Sequence, residues 1–398
     1  MEQKKPGRFA PLLLIAGCAL PILLMLIVPF RGQLSVSDAE NRTLAQFPRL
    51  TLESFLSCQF QDQLEDALGD QYPFGETLKG GLVSLQDQIY QGESKALHAL
   101  FPSAAMSYTE IAKGYYHFAG DESRIVEMAW PEEKYASPIQ AQAVRFQNLE
   151  APVYLYFIRN SRSHDFMKDD AQNNAAYQAI LDAYQPRQAA CFSASDYEEY
   201  GTLFYATDHH WNHRGADQGY RDIIRLLLGE EEETLPVKEE ISFPVAFNGS
   251  YARQSGRITG DSAFTVYTYN VKKAVTRLNG KNGTYGHQAL YEKGRYPTDE
   301  LRNHYAYYYG GDYGEIIIQT RKTDKQNLLI LADSYSNPIN GLIASHFNNT
   351  HILDLRYYQR DMNAPLDVNA YIRENEIDLV LLMGDITLFA GMQDGGGE

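Results

Sequence analysis

The chain has 398 residues, 44% of them hydrophobic and 22% charged, with a formal net charge of −16. This composition belongs to a globular chain with room for one large domain or two ordinary ones, and it excludes fibrous and low-complexity classes. An acidic balance without a basic stripe argues against nucleic acid or an anionic polymer as a tightly held partner, and near-neutral sugar chains suit it better.

Residues 9–30 carry no charge and are long enough to cross a bilayer core. Lys4, Lys5 and Arg8 precede them, so the positive-inside rule predicts a cytoplasmic N-terminus, a signal anchor within 1–30 and an extracytoplasmic remainder. Pro11, Pro21 and Pro29 interrupt the span. Ile15 to Cys18 resemble a lipoprotein cleavage box, but residues 19–29 stay apolar where a mature lipoprotein turns polar. Three cysteines are too few for a disulfide scaffold, and Cys58 and Cys191 are open to pairing or to remaining thiols.

Residues 31–50 lack periodicity and read as a tether, followed by one domain over 51–390 and a flexible tail at 391–398. Phe55, Phe60, Leu64 and Leu68, then Leu78, Leu82, Leu85 and Ile89, recur at helical spacing on either side of residues 72–75. Residues 114–120 suggest a short strand and turn, Pro138 opens a predicted helix to about 149, and residues 153–158 (VYLYFI) read as a strand. A helix is expected over 177–184, a strand near 203–205, and an amphipathic helix from an Asn212 cap to a stop at Gly229. Residues 230–300 read as a loop-rich insertion with hairpins. Beyond them come strands at 315–320, 327–332, 351–355 and 379–383, with helices at 338–346 and 367–375 between the last three, a spacing that favours a parallel sheet covered on both faces.

Two short segments carry chemistry. In residues 206–212 (ATDHHWN), alternation along an extended chain would put Asp208 and His210 on one face and His209 on the other. A carboxylate so placed fixes the imidazole tautomer and leaves its far nitrogen free to take a proton from a serine. Ser334 is the matching serine, because residues 327–332 (NLLILA) form a buried strand and Asn337-Pro338 reads as a helix cap with its first residue. That places Ser334 at the carboxyl end of a strand, where sites collect in open α/β sheets.

ATDHHWN, LLILADSYSNP and the earlier ENRTLAQFP and DQYPF segments resemble the bacterial DHHW protein family, which is similar to the alginate O-acetyltransferase group. The resemblance spans nearly the whole chain after residue 35. It implies an SGNH-hydrolase-like three-layer α/β fold with a mainly parallel sheet, and a triad of Ser334, His210 and Asp208. It also implies O-acetyl transfer or acetyl-ester hydrolysis on a cell-surface or exported polysaccharide of the bacterial envelope, with a multispanning membrane acyltransferase as donor-side partner and no cofactor. The sequence departs from the pattern in having Ala332 where the strand-end motif begins with Gly, and in lacking an arginine after Pro73.

Around the triad, Asp333 is expected to hold the turn, Asn337 to act as a cap or an oxyanion donor, and Gly384 and Gly249-Ser250 to lie in loops near the site. Trp211 reads either as a sugar platform or as a packing anchor, and Tyr335 together with the aromatic run 305–309, Tyr307 within it, as wall of a glycan groove. His210 and His213 could share a metal, but no H-E-x-x-H or Cys pair completes a zinc set, so no metal is assigned. A glycan-binding or assembly protein that keeps the fold without chemistry is the competing reading, and a metal-dependent hydrolase is a third.

Overall fold

The computed structural model describes residues 32–37, 42–57, 59–72, 107–167, 174–257 and 263–392. The predicted anchor, Cys18, Cys58, the predicted helix near 78–89 and residues 393–398 lie outside them. Among the described residues no helix is long and apolar enough to cross a membrane. Two compact units are present, Met1–Gln88 and Ile89–Glu398.

In the first unit, strands β1 (Val36–Ser37) and β2 (Arg42–Thr43) pair antiparallel, and helices α1 (Leu52–Leu56) and α2 (Gln59–Asp70) follow. Thr51 and Ser54 form a capping box on α1. Just past α2, the buried Gln71 side chain bonds the backbone of Leu34 and Ala45, tying the segment read as a tether to the helix end.

The second unit opens with the hairpin β3 (Tyr108–Ala112) and β4 (Tyr115–Phe118), then helix α3 (Glu132–Ala143). Pro138 lies inside α3 rather than opening it; the helix starts a turn and a half earlier, after Pro131. Strand β5 (Val153–Ile158) leads through α4 (Ala175–Tyr184) to the parallel strand β6 (Gln188–Phe192), a βαβ unit of which the sequence predicts only the first two members. Of the residues expected as a strand near 203–205, Leu203 instead ends helix α5 (Tyr197–Leu203), whose start Asp196 caps by accepting from Glu199 N–H at 2.8 Å, and Phe204 makes only an isolated bridge to Trp211. Helix α6 (His213–Leu228) runs from Asn212 to Gly229, as the spacing predicts.

The irregular segment holds the hairpin β7 (Val237–Phe243) and β8 (Phe264–Tyr269), helix α7 (Ser250–Ser255), strands β9 (Val275–Leu278) and β10 (Lys281–Asn282), and helices α8 (Gln288–Glu292) and α9 (His304–Tyr309). After it come β11 (Glu315–Gln319), β12 (Leu328–Ala332), α10 (Asn340–Ala344), β13 (Asn349–Leu353), α11 (Tyr358–Met362), α12 (Val368–Glu374), β14 (Leu379–Gly384) and α13 (Ile386–Ala390).

The main sheet runs β10-β9-β11-β13-β12-β14-β5-β6. It is mixed, which corrects the expectation of a mainly parallel sheet. The strands from β13 to β6 are parallel, while β11, β9 and β10 are joined by antiparallel pairings. The connection from β11 to β12 contains no helix, so β11 is not part of the repeating strand-helix-strand series, and it pairs antiparallel with β13 instead.

Alternate residues of the central strands feed two cores. Leu328, Ile330, Leu381, Met383 and Tyr156 face α6, whereas Leu329, Leu331, Val380, Leu382 and Phe157 face α3, α4, α12 and α13. Burial on both faces is why these strands read as unbroken apolar runs.

His351 in β13 is buried against Tyr371, and burial pushes its pKa from 6.5 down to about 4. The unfolded chain therefore binds a proton between pH 6.5 and 4 that the folded chain refuses, so this contribution to stability is complete above 6.5 and falls as pH drops toward 4. Urea denaturation of wild type and His351→Gln at pH 7 and pH 5 should show the wild type losing more stability on acidification than the variant does.

Candidate active site

Ser334 sits where strand geometry predicts. The five residues of β12 are buried, and Asp333 then caps a 3-10 turn over Ser334–Ser336, its Oδ1 accepting from Tyr335 N–H at 3.0 Å. Asp333 Oδ2 accepts from Asp385 N–H at 3.2 Å, tying the turn to the end of the neighbouring strand β14. Gly384 permits that approach, since a Cβ there would lie 2.4 Å from Asp333 Oδ2. Asn337 is not a helix N-cap, because α10 begins only at Asn340. Its side chain accepts from Tyr285 at 2.6 Å and donates to Gly310 and Asp312, so the amide is committed to those partners rather than offered to an oxyanion.

Asp208 and His210 are brought together by a different backbone from the expected extended one. The segment between α5 and α6 doubles back, with Phe204 bridged to Trp211 and Tyr205 N–H donating to His210 O. Within it Asp208 Oδ1 accepts both the backbone N–H of His210 at 2.9 Å and its Nδ1–H at 2.6 Å. An ionised carboxylate only accepts, so Nδ1 carries the proton and Nε2 is the acceptor facing Ser334 Oγ, 2.7 Å away. Asp208 is 2%, His210 6% and Ser334 9% exposed, so solvent competes little with these bonds.

The Asp208 carboxylate is further fixed by α7, where Ser250 N–H donates to its Oδ2 at 2.7 Å. Burial alone would raise its pKa. The electrostatic interaction with His210 and the hydrogen bond from it, with His209 and Arg253 nearby, outweigh burial and hold the carboxyl far below its ordinary range. Gly249 makes this close approach possible. The Gly249-Ser250 pair thus lies against Asp208.

Trp211 is fully buried and packs edge-to-face on Phe192 and Tyr335, so of its two readings the structure gives the packing anchor. Tyr335 is also buried. Its hydroxyl donates to His209 O and accepts from Asn160 Nδ2 at 2.9 Å. Tyr307 packs on His287 and Tyr291 in the aromatic cluster of the irregular segment. Of the aromatic run 305–309, it is Tyr305 that reaches the site, stacked on His210 with its hydroxyl donating to Ser334 O at 2.9 Å.

Sequence reasoning missed Asn160, Asp385 and the roles of Tyr305 and His209. Asn160 Nδ2 donates to Asp385 Oδ2 at 2.7 Å, linking the ends of β5 and β14. Both residues lie just past the carboxyl ends of buried parallel strands, as Asp333 does beyond β12, and that positional rule could have found them. Nothing local marks Tyr305.

Ligand atoms of Asp208, His209 and His210 lie within 4.8 Å of one another. A cation there would have to break into bonds already made, since both ring nitrogens of His210 are engaged and His209 Nδ1 is bonded to Ser250 Oγ at 2.7 Å. His213 is not in this group; its Nε2 is 3.7 Å from Glu240 and its ring meets Tyr267. Cys191 is a free thiol, pushed up to about 12 by burial.

No protein-family model matches the chain, and no curated protein does. A DHHW family protein from Eubacterium siraeum matches in structure, with 17% identity, 71% of this chain and 94% of that one covered, and a TM-score of 0.50. The likeness is one of fold. It bears out the resemblance read from ATDHHWN and LLILADSYSNP. Bacillus cereus PatB1 is similar at 20% identity over 69% of this chain and 96% of its own, TM-score 0.48. The O-acetyltransferase domain of Pseudomonas putida AlgJ is similar at 9% identity over 69% and 92%, TM-score 0.37.

A Cβ at position 249 would meet Asp208 Cβ at 2.3 Å and Thr207 O at 2.4 Å, and neither can retreat. Gly249→Ala should destabilise the second unit by about 1–3 kcal/mol, the usual cost of overpacking a tight site. Chemical denaturation of the variant against wild type measures it.

Proposed function

We propose that this chain is a membrane-anchored, extracytoplasmic serine O-acetyltransferase or acetylesterase that acts on a cell-surface or exported polysaccharide. The observation that carries the reading is the continuous relay from Asp208 Oδ1 through both nitrogens of His210 to Ser334 Oγ, at 2.6 and 2.7 Å. These separations are within the reach that proton transfer to a base requires.

In this mechanism His210 Nε2 takes the Ser334 proton as Oγ attacks the acetyl carbonyl carbon. The new Oγ–C bond forms, the bond from that carbon to the donor oxygen breaks, and His210 returns the proton to the departing oxygen. A sugar hydroxyl or water then gives its proton to His210 and attacks the acetyl carbon, the Oγ–C bond breaks, and His210 returns that proton to Ser334 Oγ, restoring the free serine. A sugar acceptor makes the reaction a transfer, and water makes it hydrolysis. Asp208 stays ionised throughout and stabilises the imidazolium.

The glycan part of the reading rests on the sequence resemblance to the alginate O-acetyltransferase group and on the acidic balance of the chain. The envelope location rests on the uncharged residues 9–30 behind Lys4, Lys5 and Arg8. A multispanning membrane acyltransferase is the partner that would pass the acyl group outward.

Turnover of p-nitrophenyl acetate by the full-length protein should fall ~10³- to 10⁶-fold in Ser334→Ala, the range for loss of a triad member. Equal rates in the two proteins would sink the catalytic reading.

A further inference from the structure

The imidazole of His210 lies between two rings. On one side His209 stands 3.9 Å away between centroids at 34°, and on the other Tyr305 stands 3.9 Å away at 18°. Tyr305 comes from α9, nearly a hundred residues along the chain, and it is 2% exposed. Asn303 caps α9 by accepting from Ala306 N–H, and the Tyr305 hydroxyl donates to the carbonyl of Ser334 at 2.9 Å. One side chain therefore lies face-on to the base and is bonded to the residue that carries the nucleophile.

The face of a tyrosine ring carries negative quadrupole density, so it attracts a cation within about 6 Å and attracts a neutral ring far less. His210 is neutral before it accepts the Ser334 proton and cationic afterwards. A stacked Tyr305 thus interacts more strongly with the state reached during reaction than with the resting one, which is the condition for lowering a barrier. The groups that face His210 are Asp208 and His209 on its own segment, Ser334 and Tyr335 from the turn after β12, and Tyr305 from α9. From α7, Ser250 and Arg253 act on it through Asp208.

We propose that Tyr305 is a positioning residue for the Ser334 reaction, its ring face stabilising the imidazolium of His210 and its hydroxyl setting the Ser334 turn. This rests on the serine reading given above, and the test separates the two. The first measurement is the titration of the His210 ring by NMR in full-length Ser334→Ala, with Tyr305 retained or changed to Phe or Leu. It needs no turnover. The second is the pH profile of kcat and KM for p-nitrophenyl acetate with Ser334 in place.

Tyr305→Leu should move the His210 titration to lower pH by about 0.4 to 1.5 and reduce kcat about 2- to 30-fold with KM little changed, as expected from the size of a cation–π contact. The acid limb of kcat should move down with it. Tyr305→Phe should keep the wild-type titration, because the ring face survives. An unmoved titration in Tyr305→Leu, or equal displacement in Phe and Leu, overturns the proposal. Where Leu does not fold, phenylalanine and its pentafluoro analogue at position 305 keep the shape and differ in the sign of the ring face; equal His210 titration in that pair overturns it as well. Absence of any Ser334-dependent turnover defeats the serine reading alone, while the titrations still report on Tyr305.

Discussion

The carboxylate of Asp208 is taken out of water and then bonded on nearly every side. Its oxygens accept from the backbone and ring of His210 and from the backbone of Ser250, and Arg253 adds favourable charge. A buried charge left unmatched would cost several kcal/mol, so the segments that supply these donors cannot move independently of it. The tautomer of His210, the direction of its Nε2 and the contact with Ser334 all follow from that one fixed anion. It joins the loop before α6 to α7, and through the imidazole it joins both to the turn after β12.

The packing behind this loop is equally constrained. Trp211 follows His210 directly and enters the core between the sheet and α6, which passes close because Gly219 faces the indole and Gly215 faces Leu203 O and the Trp211 Cβ; a Cβ at Gly219 would lie 2.4 Å from a ring carbon. Phe192 and Tyr335 close on it edge-to-face. Trp211 is thus an anchor that keeps the neighbouring His210 from drifting, and Tyr335 joins that anchor to the Ser334 turn.

Much of this was legible in the chain. Residues 327–332 and 379–383 are apolar without alternation because both faces of β12 and β14 are covered, and α6 shows its period and both its stops. Ser334 could be picked out because it follows a buried strand, and Asp208 with His210 because their two-residue spacing is a local signal, although the extended backbone expected between them does not form. What escaped has a common physical cause. The backbone at 203–210 is shaped by the Asp196 cap, by the Phe204 bridge to Trp211 and by the carboxylate itself, rather than by an extended strand. The antiparallel β11, β9 and β10 depend on pairing partners far along the chain. Asn337 looked like a cap because Pro338 follows it, yet Asp333 had already capped a tighter turn. Tyr305 is one aromatic among several in its run, and contact with His210 is decided by how α9 packs, which no local pattern records.

The irregular segment does more than decorate the fold, since it supplies one margin of the main sheet. That margin ends in β10, two exposed residues that include Lys281. A strand so short, with a lysine on it, offers few free backbone groups to an incoming chain and places a charge beside them. That rim is therefore poorly suited to recruiting a second molecule by strand addition, which leaves the five-residue β6 as the longer open edge of the main sheet.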